Sequence, residues 1–323
     1  MAENTPYDDA FKTVVHDCKS LLIPLVNEVF HEQFSADATV SFSSNEHFLN
    51  QPDGIQQKRV SDALFTIQEA FFKNYHWECQ SDSDASILIR IFEYASQAAL
   101  DDAVLERGSL TVSFPHSAIL YLKYPKSLPD KLRINIQTPG GTIGYEVAVM
   151  KLGNYSLDTI FEKKLLLLLP FYIFHYDGQL DALNQNPDQL SVLKQEFLSI
   201  KSRLEQLRAS GDITEFIKIT LIDMTQKVVR NFAKKYSNIK EGVKSVMGGR
   251  ILDTEARRIL NQGIAVGEAR GEAKGQTKGR ILEYIEIRRE DGHSDETILN
   301  SVIERFHLTK EEACEYLYSS AAI

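Results

Sequence analysis

The chain has 323 residues, of which 43% are hydrophobic and 25% charged, the proportions of a globular protein with a sizeable core. A formal charge of −9 excludes a histone-like basic binder, and three cysteines without paired spacing (Cys18, Cys79, Cys314) exclude a disulfide scaffold or a cysteine zinc ribbon. The opening MAENTPYDDAFK is acidic and does not read as a secretory signal, and the apolar run 165–176 is shorter than the ~20 residues of a membrane helix, so a cytoplasmic protein without a membrane partner is expected.

Residues 9–34 place Phe11, Val14, Val15, Leu21, Leu22, Leu25, Val26, Val29 and Phe30 at helical spacing, with Pro24 expected to kink or divide the segment. Short β-like runs follow at 39–43, 60–67 and 75–80. Helical period returns over 84–107 through Ile87, Ile91, Tyr94, Ala95, Ala98 and Leu105. Residues 117–122, 132–138 and 145–149 read as strands, with a hairpin turn at Thr138-Pro139-Gly140-Gly141 between the last two. From Leu157 onward the chain is helix-like, apart from turns near 177–178 and 184–187. Two amphipathic segments, 188–209 and 212–236, meet at Ser210-Gly211-Asp212, which predicts an antiparallel pair with Asp212 as the second N-cap.

Gly263, Gly267, Gly271, Gly275 and Gly279 recur every four residues. On a helix they would form a stripe drifting ~40° per step, and each costs roughly 1 kcal/mol against alanine. The stripe therefore fits either a close helix–helix contact between copies of the chain or a solvated linker. Three short helices are expected at the end: one over 280–289, one capped by Ser294, and one after Thr309 with Glu312 completing a capping box. Such a group can read DNA or serve as a structural cap or dimerisation element.

Charge is divided unevenly. Residues 1–150 hold 11 Lys and Arg against 20 Asp and Glu, whereas 151–323 hold 25 of each. Within the second half, 227–289 carries 15 basic and 7 acidic residues, the expected counterpart of any nucleic acid, or else a solvated helix face.

Asp62 sits among Val60, Ala63, Leu64 and Phe65, where a carboxylate is costly unless it is paired or binds a metal. Farther on, YHWECQ alternates so that Glu78 and Gln80 share one strand face while Trp77 and Cys79 share the other. Adjacent strands would bring Asp62, Glu78 and Gln80 together as an oxygen-rich site suited to Mg²⁺. The alternatives stay open: Asp62 as a satisfied acid, Glu28 as a helix-surface acid, and Arg90 with Tyr94 as a pin between helix and sheet. The histidines His16, His31, His47, His76, His116, His175, His293 and His307 show no HxxxH or His–Cys grouping. No phosphate-binding loop ending in Lys-Ser/Thr precedes a helix, which argues against an NTPase.

The ordered series Asp62, Glu78-Cys79-Gln80 and Arg90-x-x-x-Tyr94 resembles the PD-(D/E)XK nuclease superfamily, and within it the recombination-promoting nucleases and putative transposases. The resemblance extends to YDDAFKTVVHDCKSLLIPLVNEVF, RIFEYA, SFPHSAILYL, LLLLLPFYI, Met247-Gly248-Gly249 and the glycine-every-four tail. It implies an α/β, restriction-endonuclease-like core with a mixed sheet flanked by helices, then an all-helical C-terminal region. The divisions expected are a nuclease-like domain over 1–176, a helical hairpin over 177–250, and the glycine-repeat helix with a small helical element over 251–323. By position, Asp62 and Glu78 match the metal-binding acids, with the carbonyl of Cys79 near the metal. Glu28 matches the acidic position of the first helix. Gln80 stands where the superfamily has lysine, although glutamine occurs there in the closer relatives. An amide orients water but contributes no charge, so Arg90, one turn before Tyr94, is the source of replacement positive charge. The implied function is a Mg²⁺- or Mn²⁺-dependent DNA endonuclease that self-associates. The alternative is a weak or inactive nuclease-fold protein serving as a DNA-binding or oligomeric interaction module.

Overall fold

The computed structural model describes residues 6–42, 46–50, 56–60, 63–81 and 86–248, and, farther along, 281–282, 284–285, 287–289, 293–306, 308–309, 313 and 316–317. Two compact units divide it, Met1–Gly249 and Arg250–Ile323. The first is α/β with a mixed six-stranded sheet flanked by helices; the second is helical.

Helix α1 (Pro6–Asp17) starts with proline, where the missing N–H costs nothing, and carries Asp8 and Asp9 at its positive end. Its buried stripe is Ala10, Phe11, Val14 and Val15. The helical segment expected over 9–34, with a kink or division at Pro24, is divided instead by a 3₁₀ turn at Lys19–Leu21, before α2 (Leu22–Phe30). Pro24 falls in the first turn of α2, where no intrahelical N–H bond is needed. The helix stops at His31, whose φ of 56° is left-handed, and Asn27 bonds both the N–H and the carbonyl of Phe34, holding that residue outside it.

The sheet runs in the order β1 (Thr39–Phe42), β4 (Ala63–Gln68), β5 (Phe72–Gln80), β8 (His116–Tyr121), β10 (Gly141–Lys151), β9 (Lys131–Thr138). Neighbours are antiparallel except β5 with β8 and β8 with β10. A parallel pair requires a crossover, and α3 (Ile87–Asp101) lies in the connection between β5 and β8. The turn expected at 138–141 joins β9 to β10, with Thr138 Oγ1 donating to the carbonyl of Gly141 at 2.7 Å.

Two hairpins lie outside the sheet: β2 (Glu46–Asn50) with β3 (Gln56–Val60), and β6 (Val104–Glu106) with β7 (Ser109–Thr111). The first separates Val60 from the strand expected over 60–67, which begins at Ala63. The second shortens the helix expected over 84–107. Leu105 pairs with Leu110 in a hairpin that turns at Gly108, at a φ of 77°.

After α4 (Leu157–Glu162), the apolar run forms a 3₁₀ helix, Leu166–Tyr176, whose residues 166–174 are all buried. Being apolar on every side, it is a core element. Three helices follow α5 (Leu180–Gln185): α6 (Pro187–Ser210), α7 (Glu215–Phe232) and α8 (Ser237–Met247). The N-cap of α7 is Thr214, whose hydroxyl accepts from Ile217 N–H at 3.2 Å, and not Asp212. Asp212 is engaged by Lys164 at 2.8 Å and accepts from the Ser210 hydroxyl. Helices α6 and α7 meet beside their turn, where Lys218 bonds Glu205 at 2.6 Å. Helix α6 nevertheless packs mainly on α8, and α7 on α1 and the 3₁₀ run, so the expected pair is built into a larger helical assembly on the sheet's core. Leu193, Phe197, Val228 and Ile239 share one apolar cluster with Phe11, Trp77 and Phe171, and no separate core begins at residue 177.

In the second unit, positions within 281–289 are helical, α9 spans Asp295–Phe306, and Ile281, Ile285, Ile298, Val302, Ala313 and Leu317 form a core. Ser294 caps α9 as expected, accepting from Thr297 N–H at 3.4 Å. The glycine stripe and Glu312 lie outside the described residues. Among those described, no helix is long and apolar enough to cross a membrane.

Candidate active site

Strand β5 is central, flanked by β4 and β8, and residues 75–81 are all buried. Alternation sorts its side chains. Tyr75 and Trp77 meet Phe30 of α2, with ring centroids 5.2 and 6.2 Å apart, and Cys79 joins the same apolar cluster. Asn74, His76, Glu78 and Gln80 therefore point to the opposite face, which α3 covers.

There the Glu78 carboxylate, 3% exposed, is held at both oxygens. Arg90 Nη2 from α3 lies 3.4 Å from Oε2, and His76 Nε2 lies 3.3 Å from Oε1. Tyr94, one turn beyond Arg90, sets its ring edge-on to the His76 imidazole, with centroids 5.7 Å apart. Gln80 is also buried, two residues beyond Glu78. A buried carboxylate is retained only with such compensation, since an unpaired one costs several kcal/mol. The structure thus gathers Glu78, Gln80, Arg90 and Tyr94 on one face of β5.

It does not bring Glu28 to them. Glu28 belongs to α2, on the Trp77 side of the sheet, where Lys163 Nζ bonds both its oxygens at 2.8 and 2.9 Å. The Tyr155 hydroxyl also donates to it, and burial first, then the Glu28 charge, push that phenol up to about 12. Cys79 is in register with Leu120 of β8, its side chain buried away from the Glu78 face. Asp62, and with it the expected adjacency to Glu78, lies outside the described residues; Ala63, the first residue of β4, pairs with Trp77 of β5.

His76 is the residue that motif searching passed over. It is fully buried, and its signal was the i, i+2 spacing to Glu78, not any metal-ligand pattern. A cavity of about 40 Å³ opens on the same sheet face at the far end of α3, lined by Leu64, Asn74, Ala98, Asp101, Asp102 and Pro115. Asn74 crosses it, accepting from Thr66 at 2.7 Å and donating to Asp102 at 3.1 Å. A shallow concavity of about 480 Å³ lies elsewhere, along α6 between Leu157 and Glu196, remote from this row.

In kind, the buried Glu78 carboxylate and the backbone carbonyl of Cys79 are hard oxygen donors of the type Mg²⁺ accepts. In number, the described residues contain no group of three His, Cys, Asp or Glu side chains placed to hold an ion, and Asp62 is the further acid the motif provides. No family model matches the chain, and no curated protein or solved structure matches it either.

Proposed function

We propose that the chain is a metal-dependent DNA endonuclease of the PD-(D/E)XK type, akin to recombination-promoting nucleases and putative transposases, that hydrolyses phosphodiesters in the cytoplasm. The observation that carries this reading is the buried Glu78 carboxylate, set beside Gln80 on a central strand and paired with a cation from the crossover helix. The order helix, three antiparallel strands (β1, β4, β5), crossover helix and parallel strand supports it, since the resemblance implies a mixed sheet flanked by helices.

Glu78, with Asp62 and the Cys79 carbonyl, would hold Mg²⁺ or Mn²⁺. Such an ion, when bound, stabilises charge on the phosphate and lowers the pKa of its water. The Gln80 amide orients the water that attacks phosphorus. Arg90, its side chain 22% exposed, contributes the positive charge that lysine would bring in this position. Self-association through the glycine stripe would bring two basic 227–289 segments to one DNA.

A second reading, a weak or inactive nuclease-fold module that binds DNA or partners, is favoured by one observation: His76 and Arg90 already engage both oxygens of Glu78. Nicking of supercoiled plasmid with Mg²⁺ or Mn²⁺ separates the two. The enzyme reading expects cleavage that falls to background in Glu78→Ala. Equal nicking by both proteins overturns it, and DNA binding without cleavage favours the module.

A further inference from the structure

His76 does not belong to the motif, yet it is the most enclosed member of the site. Its side chain is 0% exposed, and the register of β5 sets it between Leu64 of β4 and Ser117 of β8. Tyr94 covers the ring edge-on. Nε2 faces Oε1 of Glu78 at 3.3 Å, while the equally buried Nδ1 has no hydrogen-bond partner among the described residues. Leaving the other ring nitrogen unpaired carries a desolvation cost, which the contact to Glu78 offsets in part. A carboxylate oxygen can only accept, so Nε2 carries the proton in this pair.

We propose that His76 is a positioning residue for Glu78. As its Nε2–H tautomer it donates to Oε1 and, with Arg90 on Oε2, fixes the rotamer of the carboxylate that would hold the divalent ion. The ion's part in this rests on the nuclease reading; the grip on Glu78 does not. Partners of this kind behind a metal ligand typically change ion affinity by about 10–100-fold. Strand pairing dictates the arrangement: residues two apart on one face stand side by side, so His76 reaches its neighbour without a loop or a second element.

The test uses the full chain, with Mn²⁺ alone as the probe in calorimetric titration and a stability cycle between positions 76 and 78. His76→Phe removes the donor at similar bulk. His76→Gln keeps an N–H near the place of Nε2, and His76→Asn, too short to reach it, stands in should the phenylalanine variant fail to fold. The expected result is Mn²⁺ binding weakened about 10–100-fold in His76→Phe or His76→Asn, and largely restored in His76→Gln. In urea unfolding, His76→Phe and Glu78→Gln together should cost less than the sum of the single changes. Unchanged Mn²⁺ affinity in both donor-free variants overturns the proposal. If the wild type binds no Mn²⁺, the metal-dependent nuclease reading fails, and the stability cycle alone decides the His76–Glu78 pairing: coupling upholds it and strict additivity overturns it.

Discussion

Tyr75, Trp77 and Cys79 point from β5 into an apolar core beneath α1 and α2, whereas Asn74, His76, Glu78 and Gln80 point from the same strand toward α3. The two faces are comparably buried from residue 75 onward, yet one is aromatic and the other carries an acid, an imidazole and an amide. The difference teaches what each is for. The apolar face gains free energy from burial, roughly 25 cal/mol per Å² removed from water. The polar face loses solvation and recovers it through pairings such as those of Arg90 and His76 with Glu78, an arrangement that apolar residues of similar volume often match or exceed in stability. A row that does not improve the fold is the place to look for chemistry.

Trp77→Ala sharpens the contrast most. The indole is fully buried against Phe30, and truncating a buried aromatic typically costs ~3–5 kcal/mol. Urea unfolding should show the loss. A smaller effect than any change on the polar face would invert the assignment of the two faces.

Arg90→Met comes next. It keeps the stem and removes the charge facing Oε2, leaving Glu78 with its His76 contact. Because the Arg90 side chain is 22% exposed, water can replace part of the interaction, and a loss of ~1–3 kcal/mol is expected. Adding Glu78→Gln should recover most of it, since the uncompensated charge is then gone. Without that recovery, Arg90 acts by packing and not by charge.

Much of this site was legible in the sequence. Period-2 alternation in YHWECQ placed Glu78 with Gln80, and the spacing of Arg90 and Tyr94 placed both on one helical face. His76 belongs to no metal-ligand spacing; what distinguishes it is its place two residues from Glu78 on a strand. Glu28 shows a different limit. Periodicity identified its helix but not which side of the sheet that helix covers, and Phe30 against Tyr75 and Trp77 settles it. In the fold, Leu105 matched the helical period from Ile91 and Ala98 yet lies in a strand, because Gly108 permits a hairpin that three-residue strands can close. The β2–β3 hairpin, EHFLN with QQKRV, lacks the apolar alternation that reveals a strand. Asp212 offered a plausible cap, but Lys164, distant in sequence, engages it and Thr214 takes the role.

A gentler probe of the polar face is Gln80. If its amide orients the attacking water, Gln80→Ala should slow plasmid cleavage about tenfold, a change of ~1.4 kcal/mol in the barrier, while Mn²⁺ affinity stays near that of the wild type. Gln80→Lys should retain or raise the rate, with a small gain because Arg90 already brings positive charge to this face. A rate unchanged by both substitutions makes Gln80 structural and moves its half of the polar face to the stabilising side of the comparison.

The smallest effect tests the opposite face. Tyr155 is pushed up to about 12 by burial first, then by the charge of Glu28 and the hydrogen bond to it. A phenol whose folded pKa lies above its unfolded value of 10.0 adds stability that is complete below that value and is lost as pH rises through about 12. Glu28→Gln removes the charge but keeps an amide oxygen able to accept, so the Tyr155 pKa should fall part of the way toward 10.0, with burial retaining the rest. Phenolate absorbance during alkaline titration, compared between wild type and variant, reads the shift directly. The urea midpoint should begin to fall near the same pH in both proteins, where the unfolded phenol ionises, but in the variant the fall should be smaller and end at lower pH, in step with its lower folded pKa. Cleavage at neutral pH should stay close to the wild-type rate, because Glu28 is held by Lys163 on the far side of the sheet from Glu78. Loss of cleavage as deep as in Glu78→Ala, with the fold intact, would mean that the sheet does not separate the two acids functionally.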